Sequence, residues 1–391
     1  MQTKFKEVFM TRATSIVARL ALAAWLGVPF GVVSFAQSRS RAAAKPQMAE
    51  AAFKNIRALK GIPVDEFMGT MGLFSAALSV CCGDCHVGAG TDHPKWEDDA
   101  PPRKVIARRM VTMVNAINKE NFAGRQVVTC WTCHRGSQSP AVTPTIDTIY
   151  STPVFAPPDI LPATPATAGT LPVDQILEKY VQALGGVQNL ASLTSYSGKG
   201  TANLFDEVRS DPLEIYAKGP NQLSILVHRR GGEMARTYDG REAWVVLPLT
   251  VVQEYPLTAS ALEGAKLVAE MAFPGQIKQL LHNWRVSYPA TMEDREVYVV
   301  QGSGSDGLLA TFYFDKQTGL LTRLVHFANS AVGRVPTQID YSDYRPVAGV
   351  MLPFKFIYGW LSNREEYTLT EVKPNVSIDA AKFSRPVPAG R

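Results

Sequence analysis

The chain contains the stretch Cys82-Gly83-Asp84-Cys85-His86 and, further along, a second stretch of the same pattern, Cys130-Trp131-Thr132-Cys133-His134. Cys-x-x-Cys-His is the attachment pattern of a c-type haem, in which two thiols bond to the porphyrin and the histidine binds the iron. A four-cysteine zinc site is the alternative. The histidine directly after each cysteine pair favours haem. We therefore predict two covalently attached haem c groups, with thiols from Cys82, Cys85, Cys130 and Cys133 and iron ligands from His86 and His134.

One cysteine is not used by these motifs. The chain has five cysteines, and the remaining one is Cys81. It cannot replace Cys82 in the pattern, because the residue three positions after it is Asp84. We expect an ordinary small side chain here, with pairing between two chains as the alternative. The role of Cys81 stays open.

Residues 1–36 are typical of an export signal. A basic start is followed by an almost entirely apolar run from Leu20 to Ala36, and small residues end it at Ser34 and Ala36. The run is short for a membrane span and contains Pro29. We predict a signal peptide over residues 1–36 and a periplasmic or otherwise exported protein. An uncleaved N-terminal membrane anchor is the alternative.

The charge of the chain does not indicate a nucleic-acid partner. The formal net charge is +5, and the leader holds four basic residues and one acidic residue, so it carries +3 and the rest about +2. A nucleic-acid-binding protein is expected to carry a much stronger basic surface. We predict no nucleic-acid binding.

A proline-rich stretch divides the remaining chain. Eight prolines occur between residues 139 and 172, which is typical of an extended spacer. We predict an N-terminal linker over 37–49, a di-haem cytochrome c domain over 50–138, a linker over 139–172 and a second domain over 173–391. The predicted fold class is multi-domain, with a mainly α cytochrome domain and an α+β antiparallel half-barrel wrapped on a helix.

Each haem motif follows an amphipathic helical pattern that carries methionine. In the first pattern, which opens after Pro63, Phe67, Met71, Phe74 and Leu78 share one face. The second runs from about residue 103 to 119 and places Met110 and Met113 on its apolar side. A methionine sulfur could be the second axial ligand and close the iron to other ligands. Our candidates are Met71 and Met110, with Met68 and Met113 as rivals and plain core packing as the alternative.

These residues carry a resemblance to a known family. The run from Arg108 to Asn118, leading to Val128-Thr129-Cys130 and the second motif, resembles the cytochrome c subunit of photosynthetic reaction centres, as does the run from Met71 to His86. The resemblance covers about residues 50–140 and implies that Met71 and Met110 are the distal ligands. That family carries four haems in two similar halves, whereas this chain has only one such half. A photosynthetic role is therefore in doubt, and the two motifs indicate a self-contained di-haem module.

The second half of the chain has a different pattern. An apolar helical stripe from Val173 to Leu184 is followed by short alternating runs separated by turn residues, which predicts a mainly antiparallel sheet. A second helical stretch near residues 259–272 interrupts these runs. One helix followed by such a sheet is similar to the half-barrels of periplasmic lipoprotein carriers and sorting proteins. That resemblance implies a concave apolar face and a lipid-like ligand.

From these features we predict an electron-transfer protein rather than an enzyme. It would move single electrons between donor and acceptor proteins at or near the membrane, and the half-barrel would dock it or bind a lipophile. No catalytic residue is predicted. The alternatives are a di-haem enzyme, such as a peroxidase or a small-molecule reductase with an open haem site, and a lipophile carrier whose haems sense redox state.

Overall fold

The computed structural model describes residues 45–143, 160, 161, 163, 171–204, 209–248, 250–361 and 363–386. These residues all belong to one compact unit that spans residues 43–391. The predicted signal peptide and most of the predicted proline-rich linker lie outside the described residues. The predicted division into two domains at that linker stays a prediction.

The largest element is an antiparallel sheet of 14 strands in the described part of the chain, with the order β6-β5-β4-β3-β2-β1-β14-β13-β12-β11-β10-β9-β7 and with β8 paired to β9. This confirms the large antiparallel sheet predicted from the alternating runs. The strand bounds are β1 Ser195–Leu204, β2 Ser210–Lys218, β3 Gln222–Arg229, β4 Gly232–Tyr238, β5 Ala243–Val246, β6 Glu254–Pro256, β7 His282–Val286, β8 Ala290–Met292, β9 Arg295–Ser303, β10 Leu309–Asp315, β11 Leu321–Ser330, β12 Gly333–Val347, β13 Val350–Trp360 and β14 Asn363–Pro374.

Local sequence explains the hairpins of this sheet. Strand β13 alternates between buried and partly exposed side chains along its first seven residues, as expected for a strand with one face on the core. Its hairpin with β12 turns at Ala348 and Gly349, both with positive φ (49° and 81°). Two consecutive positive φ values match the twist of a two-residue hairpin, and glycine adopts such values without strain.

The part of the chain from residue 171 on is called the sheet half, and its described residues include four α-helices that contribute to its core. They are α5 Val173–Ala183, α6 Gly186–Ser192, α7 Ala259–Glu270 and α8 Ile277–Leu280. The apolar stripe of α5 is buried, and the ring of Tyr180 lies 5.1 Å from that of Phe314 in β10. One core cluster contains residues of these helices and of strands from β1 to β4 and from β9 to β14. The sheet therefore curves around the helices.

The residues before the spacer form a second group of helices: α1 Ala49–Ala52, α2 Val64–Leu78, a short 3-10 helix Cys82–Asp84, α3 Pro102–Asn121 and α4 Cys130–His134. Helices α2 and α3 lie where the apolar periodicity placed them. Pro63 directly precedes α2, and Asp65 and Glu66 fall in its first turn, where carboxylates interact favourably with the helix dipole.

These helices pack directly on the sheet half. The turn between β11 and β12, residues 330–333, is here called the hairpin tip. Its Val332 is fully buried and packs in one apolar cluster with Leu73 of α2, Val111 of α3 and Cys130 of α4. A Cβ atom on Gly333 would lie only 2.8 Å from Cδ2 of Leu73, so glycine is needed for this close approach.

Polar contacts hold the same interface. The Asp65 carboxylate accepts a hydrogen bond from the Thr258 backbone N–H (2.6 Å) and another from its hydroxyl (2.9 Å). The Gln126 amide donates to the Ser330 carbonyl at 3.1 Å. Among the described residues, none of the helices has the length and apolar character required to cross a bilayer.

Candidate haem-binding sites

The first motif faces a cavity of about 440 Å³ between α2, α3 and the residues near α1. The predicted site residues Met71, Cys82, Cys85 and His86 all line this cavity. Its remaining walls are largely apolar, with side chains such as Phe67, Phe74 and Val111. The structure thus brings the first predicted set of thiols, imidazole and thioether to one apolar space.

The His86 ring is oriented by a backbone carbonyl. Its Nδ1 lies 3.3 Å from the carbonyl oxygen of Trp96, and the Trp96 ring packs edge-on at 5.2 Å between centroids. A carbonyl accepts only from a protonated nitrogen, so Nδ1 carries the hydrogen and Nε2 keeps its lone pair. Burial lowers the pKa of His86. The ring is therefore held in the form that binds a metal.

Two methionines line this cavity. Both Met68 and Met71 contribute to its wall, as do Phe67 and Phe74 on the same helix. Residues at steps of three and four share one helical face, which explains why 67, 71 and 74 lie together. The structure places both Met71 and its rival Met68 in this wall, and Met71 as the distal ligand stays a prediction.

A charged network lies beside the same cavity. Arg108 donates to the Asp99 carboxylate at 2.9 Å and to the Asn55 carbonyl at 3.0 Å. The Lys104 ammonium lies 3.5 Å from the same carboxylate. The hydrogen bond from Arg108 holds the pKa of Asp99 well below its usual range. This network fixes α3 to the loop that carries Trp96.

The second motif forms the short helix α4. The Thr129 hydroxyl accepts from the Thr132 backbone N–H at 3.3 Å, and the Thr132 hydroxyl accepts from the Thr129 N–H at 3.0 Å. This reciprocal pair satisfies N–H groups that a helix start leaves unbonded. At the other end, His134 Nδ1 lies 3.0 Å from the Ser137 carbonyl oxygen. As in the first motif, a carbonyl holds the ring at Nδ1, so that Nε2 is the nitrogen left to bind iron.

Asn118 of α3 fixes the loop that leads into α4. Its amide donates to the Val128 carbonyl at 2.7 Å, and its oxygen accepts from the backbone N–H groups of Val127 (3.0 Å) and Val128 (2.9 Å). The loop delivers Cys130 into the cluster that contains Leu73 and Val332. Burial raises the pKa of the Cys130 thiol.

Helix α3 presents apolar side chains on two faces. Ala107 and Val111 line the cavity of the first motif. Residues Ile106, Met110 and Met113, four and three positions apart, lie along another face. On this face Ile106 is 50 % exposed and Met113 is 43 % exposed, while Met110 is partly buried. Large apolar side chains at such exposure indicate a surface that another apolar group can cover.

The fit of these residues to a haem c group is good at the first motif. Two thiols, one imidazole with a free Nε2 and one thioether meet in an apolar cavity, which is the donor set that a covalently attached haem requires. Cys81 also lines the cavity, but its thiol donates to the Asp84 carboxylate at 3.2 Å. Within the described part of the chain, no three His, Cys, Asp or Glu side chains converge to hold a bare metal ion.

Sequence reasoning missed several residues of these sites. Trp96 and Asp99 orient His86 and α3 from a loop with no recognisable motif. Val332 and Gln126 join the second motif to the hairpin tip. The signal for Trp96 was weak but present, because it is a large aromatic residue in an otherwise polar loop. Nothing in the sequence near Val332 indicated contact with residues about two hundred positions earlier.

Comparison with known proteins matches the first half of the chain to one family. The family model for the photosynthetic reaction centre cytochrome C subunit matches residues 32–183. The reaction centre cytochrome c subunit of Thermochromatium tepidum is 36 % identical over 92 residues, which is 22 % of each chain. That of Rubrivivax gelatinosus is 32 % identical over 92 residues, 22 % of this chain and 24 % of the relative. This chain therefore matches less than a quarter of the length of these relatives.

Solved structures are similar to the sheet half. A LolA superfamily protein from Nitrosomonas europaea has a TM-score of 0.36 and 14 % identity, covering 55 % of this chain and 98 % of that one. A DUF1329 family protein from Desulfovibrio piger has a TM-score of 0.38 and 13 % identity, with the same coverage. The predicted resemblance of the N-terminal part to reaction-centre cytochrome c subunits is thus confirmed. The solved structures matched by the C-terminal part include LolA-like proteins, the class named from the sequence.

Proposed function

We propose that this chain is an exported di-haem c-type cytochrome that transfers single electrons. The observation that supports this most directly is the cavity of the first motif. It gathers Met71, Cys82, Cys85 and His86 inside apolar walls and leaves Nε2 of His86 free to bind iron. The resemblance to reaction-centre cytochrome c subunits supports the same function.

In this proposal each haem is held by two cysteines and one histidine. Cys82 and Cys85 attach the first haem and Cys130 and Cys133 the second. His86 and His134 present Nε2, and backbone carbonyls hold their rings in place. A bound haem c supplies an iron that alternates between the ferrous and ferric states and so carries one electron.

Met71 and Met110 are the proposed distal ligands. A thioether in that position raises the reduction potential and leaves no place on the iron for another molecule. Met71 lies in the cavity wall, and Met110 lies on the apolar face of α3 with Ile106 and Met113. With a thioether on each iron there is no open position for a substrate, so in this proposal the protein carries electrons and is not an enzyme.

The proposed partners are electron donor and acceptor proteins at or near the membrane. Trp131, within the second motif, is 47 % exposed and gives such a partner an aromatic contact. In this proposal a signal peptide over residues 1–36 directs the chain to the periplasm. The sheet half docks the cytochrome or binds a lipid-like molecule.

Haem counting on cysteine variants tests the proposal. The exported protein should contain two haems per chain by alkaline pyridine absorption and by mass. Replacing both thiols of one motif, Cys82→Ser with Cys85→Ser or Cys130→Ser with Cys133→Ser, should leave one covalently attached haem, because the other haem can then form no thioether bond. Cys81→Ser is the matched control, since it removes the neighbouring thiol outside the motif, and it should retain two. A haem-free wild type, or an equal loss in the Cys81 variant, would refute the assignment.

The ligands opposite the histidines need a separate measurement. Met71→Ala and Met110→Ala should each lower the potential of one haem and let that haem bind carbon monoxide, while the wild type should not bind it. Met68→Ala and Met113→Ala are the controls and should leave both properties unchanged. If the wild type binds carbon monoxide readily, at least one iron is open, the closed-site assignment is wrong, and the di-haem enzyme becomes the favoured alternative.

A further inference from the structure

A second cavity, of about 280 Å³, lies against the sheet half and is also lined by α2. Its walls come from α2, α7 and strands β3–β6 and β11–β13. Met68 lines both this second cavity and the cavity of the first haem motif. One helix therefore separates the two spaces.

A buried histidine without a partner lines the second cavity. His326 is 5 % exposed, and neither of its ring nitrogens has a hydrogen-bond partner. A buried polar group left without a partner costs about 1–3 kcal/mol. Gly264 of α7 lies against the ring, since a Cβ there would be 2.6 Å from it. The fold therefore makes room for an imidazole, and neither of its nitrogens is hydrogen-bonded to a described residue.

The charges around this cavity are balanced or acidic. Arg236 lies over the rings of Tyr358 and Trp360, at 4.8 and 4.5 Å, and pairs at 2.8 Å with the fully buried Glu365. Burial lowers the pKa of His326 to about 4, so this ring is neutral near pH 7. The wall also contains two carboxylic side chains, Asp65 and Glu66. No unpaired cation is present among the described residues that line it, so an anionic ligand has no counter-charge.

The shape and composition of the wall indicate a flat ligand. Five aromatic side chains line the cavity: Tyr238, Trp244, Tyr255, Tyr358 and Trp360. An apolar cavity of about 150 Å³ holds benzene. Drug-sized ligands occupy about 300–1,000 Å³. The volume of 280 Å³ therefore suits one ring or two fused rings and is small for an acyl-chain lipid.

From these observations we infer that the second cavity binds a neutral aromatic molecule whose hydroxyl or carbonyl group hydrogen-bonds to His326. Neutral imidazole has one donor and one acceptor nitrogen, so it pairs with either kind of oxygen. Stacking on Trp and Tyr side chains supplies the apolar contact. The ligand would lie one helix away from the proposed haem ligand Met71.

Calorimetric titration of the purified full chain with p-cresol and with toluene tests this inference. The two molecules differ only by the hydroxyl group. Wild type should bind p-cresol about 2- to 12-fold more tightly than toluene, the value of one net hydrogen bond. In His326→Phe that preference should vanish. His282→Phe removes an exposed histidine elsewhere in the sheet half and should keep it.

Two further titrations keep the result decisive. Ala261→Phe, which fills the cavity from α7, should abolish binding of both molecules even if the His326 variant does not fold. Sodium dodecanoate should not displace p-cresol, because the wall offers its carboxylate no free cation. Equal affinity for p-cresol and toluene in wild type would overturn the inference, as would displacement by dodecanoate or unchanged binding in Ala261→Phe. These titrations do not depend on haem content, so they can fail while the haem proposal stands, and the reverse.

Discussion

Replacing His326 with glutamine should remove part of the acid sensitivity of folding. The pKa of His326 falls from 6.5 to about 4 on folding, because the ring is buried. As the pH drops below about 6.5, the unfolded chain takes up this proton and the folded chain does not, so stability is lost between about pH 6.5 and 4. The full loss is about 3 kcal/mol, at about 1.4 kcal/mol per pKa unit. Between about pH 7 and 5 it is about 2 kcal/mol.

Urea unfolding at several pH values measures this effect. The free energy of unfolding of wild type should fall by about 2 kcal/mol more than that of His326→Gln between about pH 7 and 5. Asp65 and Glu66 line the same cavity, and burial raises the pKa of each, which acts in the opposite direction. Both proteins contain these carboxylates, so the comparison cancels them. His282→Gln should behave as wild type, and parallel curves for wild type and His326→Gln would refute the reasoning.

Three other substitutions test the contacts that join the helices to the sheet and hold the sites. Val332→Ala leaves a cavity in the apolar cluster that contains Leu73, Val111 and Cys130. It should lower the free energy of unfolding by about 1–3 kcal/mol in urea titration. Asn118→Ala removes three hydrogen bonds to the loop before the second motif, and it should lower haem content at Cys130 and Cys133 by mass spectrometry while the first motif stays loaded. Arg236→Lys cannot keep both hydrogen bonds to the buried Glu365, and it should lower the thermal midpoint by several degrees.

Each of these predictions has a matched comparison. Val325→Ala changes a partly buried valine of the same hairpin that lies outside that cluster, and it should cost less than Val332→Ala. Asn115→Ala changes an exposed asparagine of α3 and should leave haem content unchanged. Arg364→Lys changes an arginine outside the Glu365 ion pair and should leave the midpoint unchanged. If the control equals the test variant in any of these pairs, the contact invoked is not the cause.

Local sequence was sufficient for the long helices α2 and α3 and for the placing of Met71 near the first motif. The helical period placed Met71 beside the motif that follows it, and strict alternation identified strands such as β13. The same period could not separate Met71 from Met68, because a helix of this width brings both to one cavity. The helix α6 was missed because its sequence, after Gly185, has no extended apolar stripe.

The second cavity could not be predicted because its walls are distant in the sequence. Asp65, Arg236 and His326 are brought together only by the order of strands in a large curved sheet and by the docking of α2 on it. Periodicity reports which face of an element is apolar but not which other element covers it. The contact of the hairpin tip with the helices could not be predicted for the same reason, since only the folded sheet brings Val332 to Leu73 and Cys130.

The burial of Cys130 beneath the hairpin tip has a consequence for the assembly of the protein in the cell. In the proposed exported cytochrome, thioether formation needs access to this thiol, and residues 330–333 are synthesised and exported about two hundred positions after it. Contacts between such distant residues form late, because long loops are slow to close. The proposed second haem would therefore have to be attached while the hairpin is still undocked. A chain that completed its sheet first would shut this cysteine away from the enzymes that mature it.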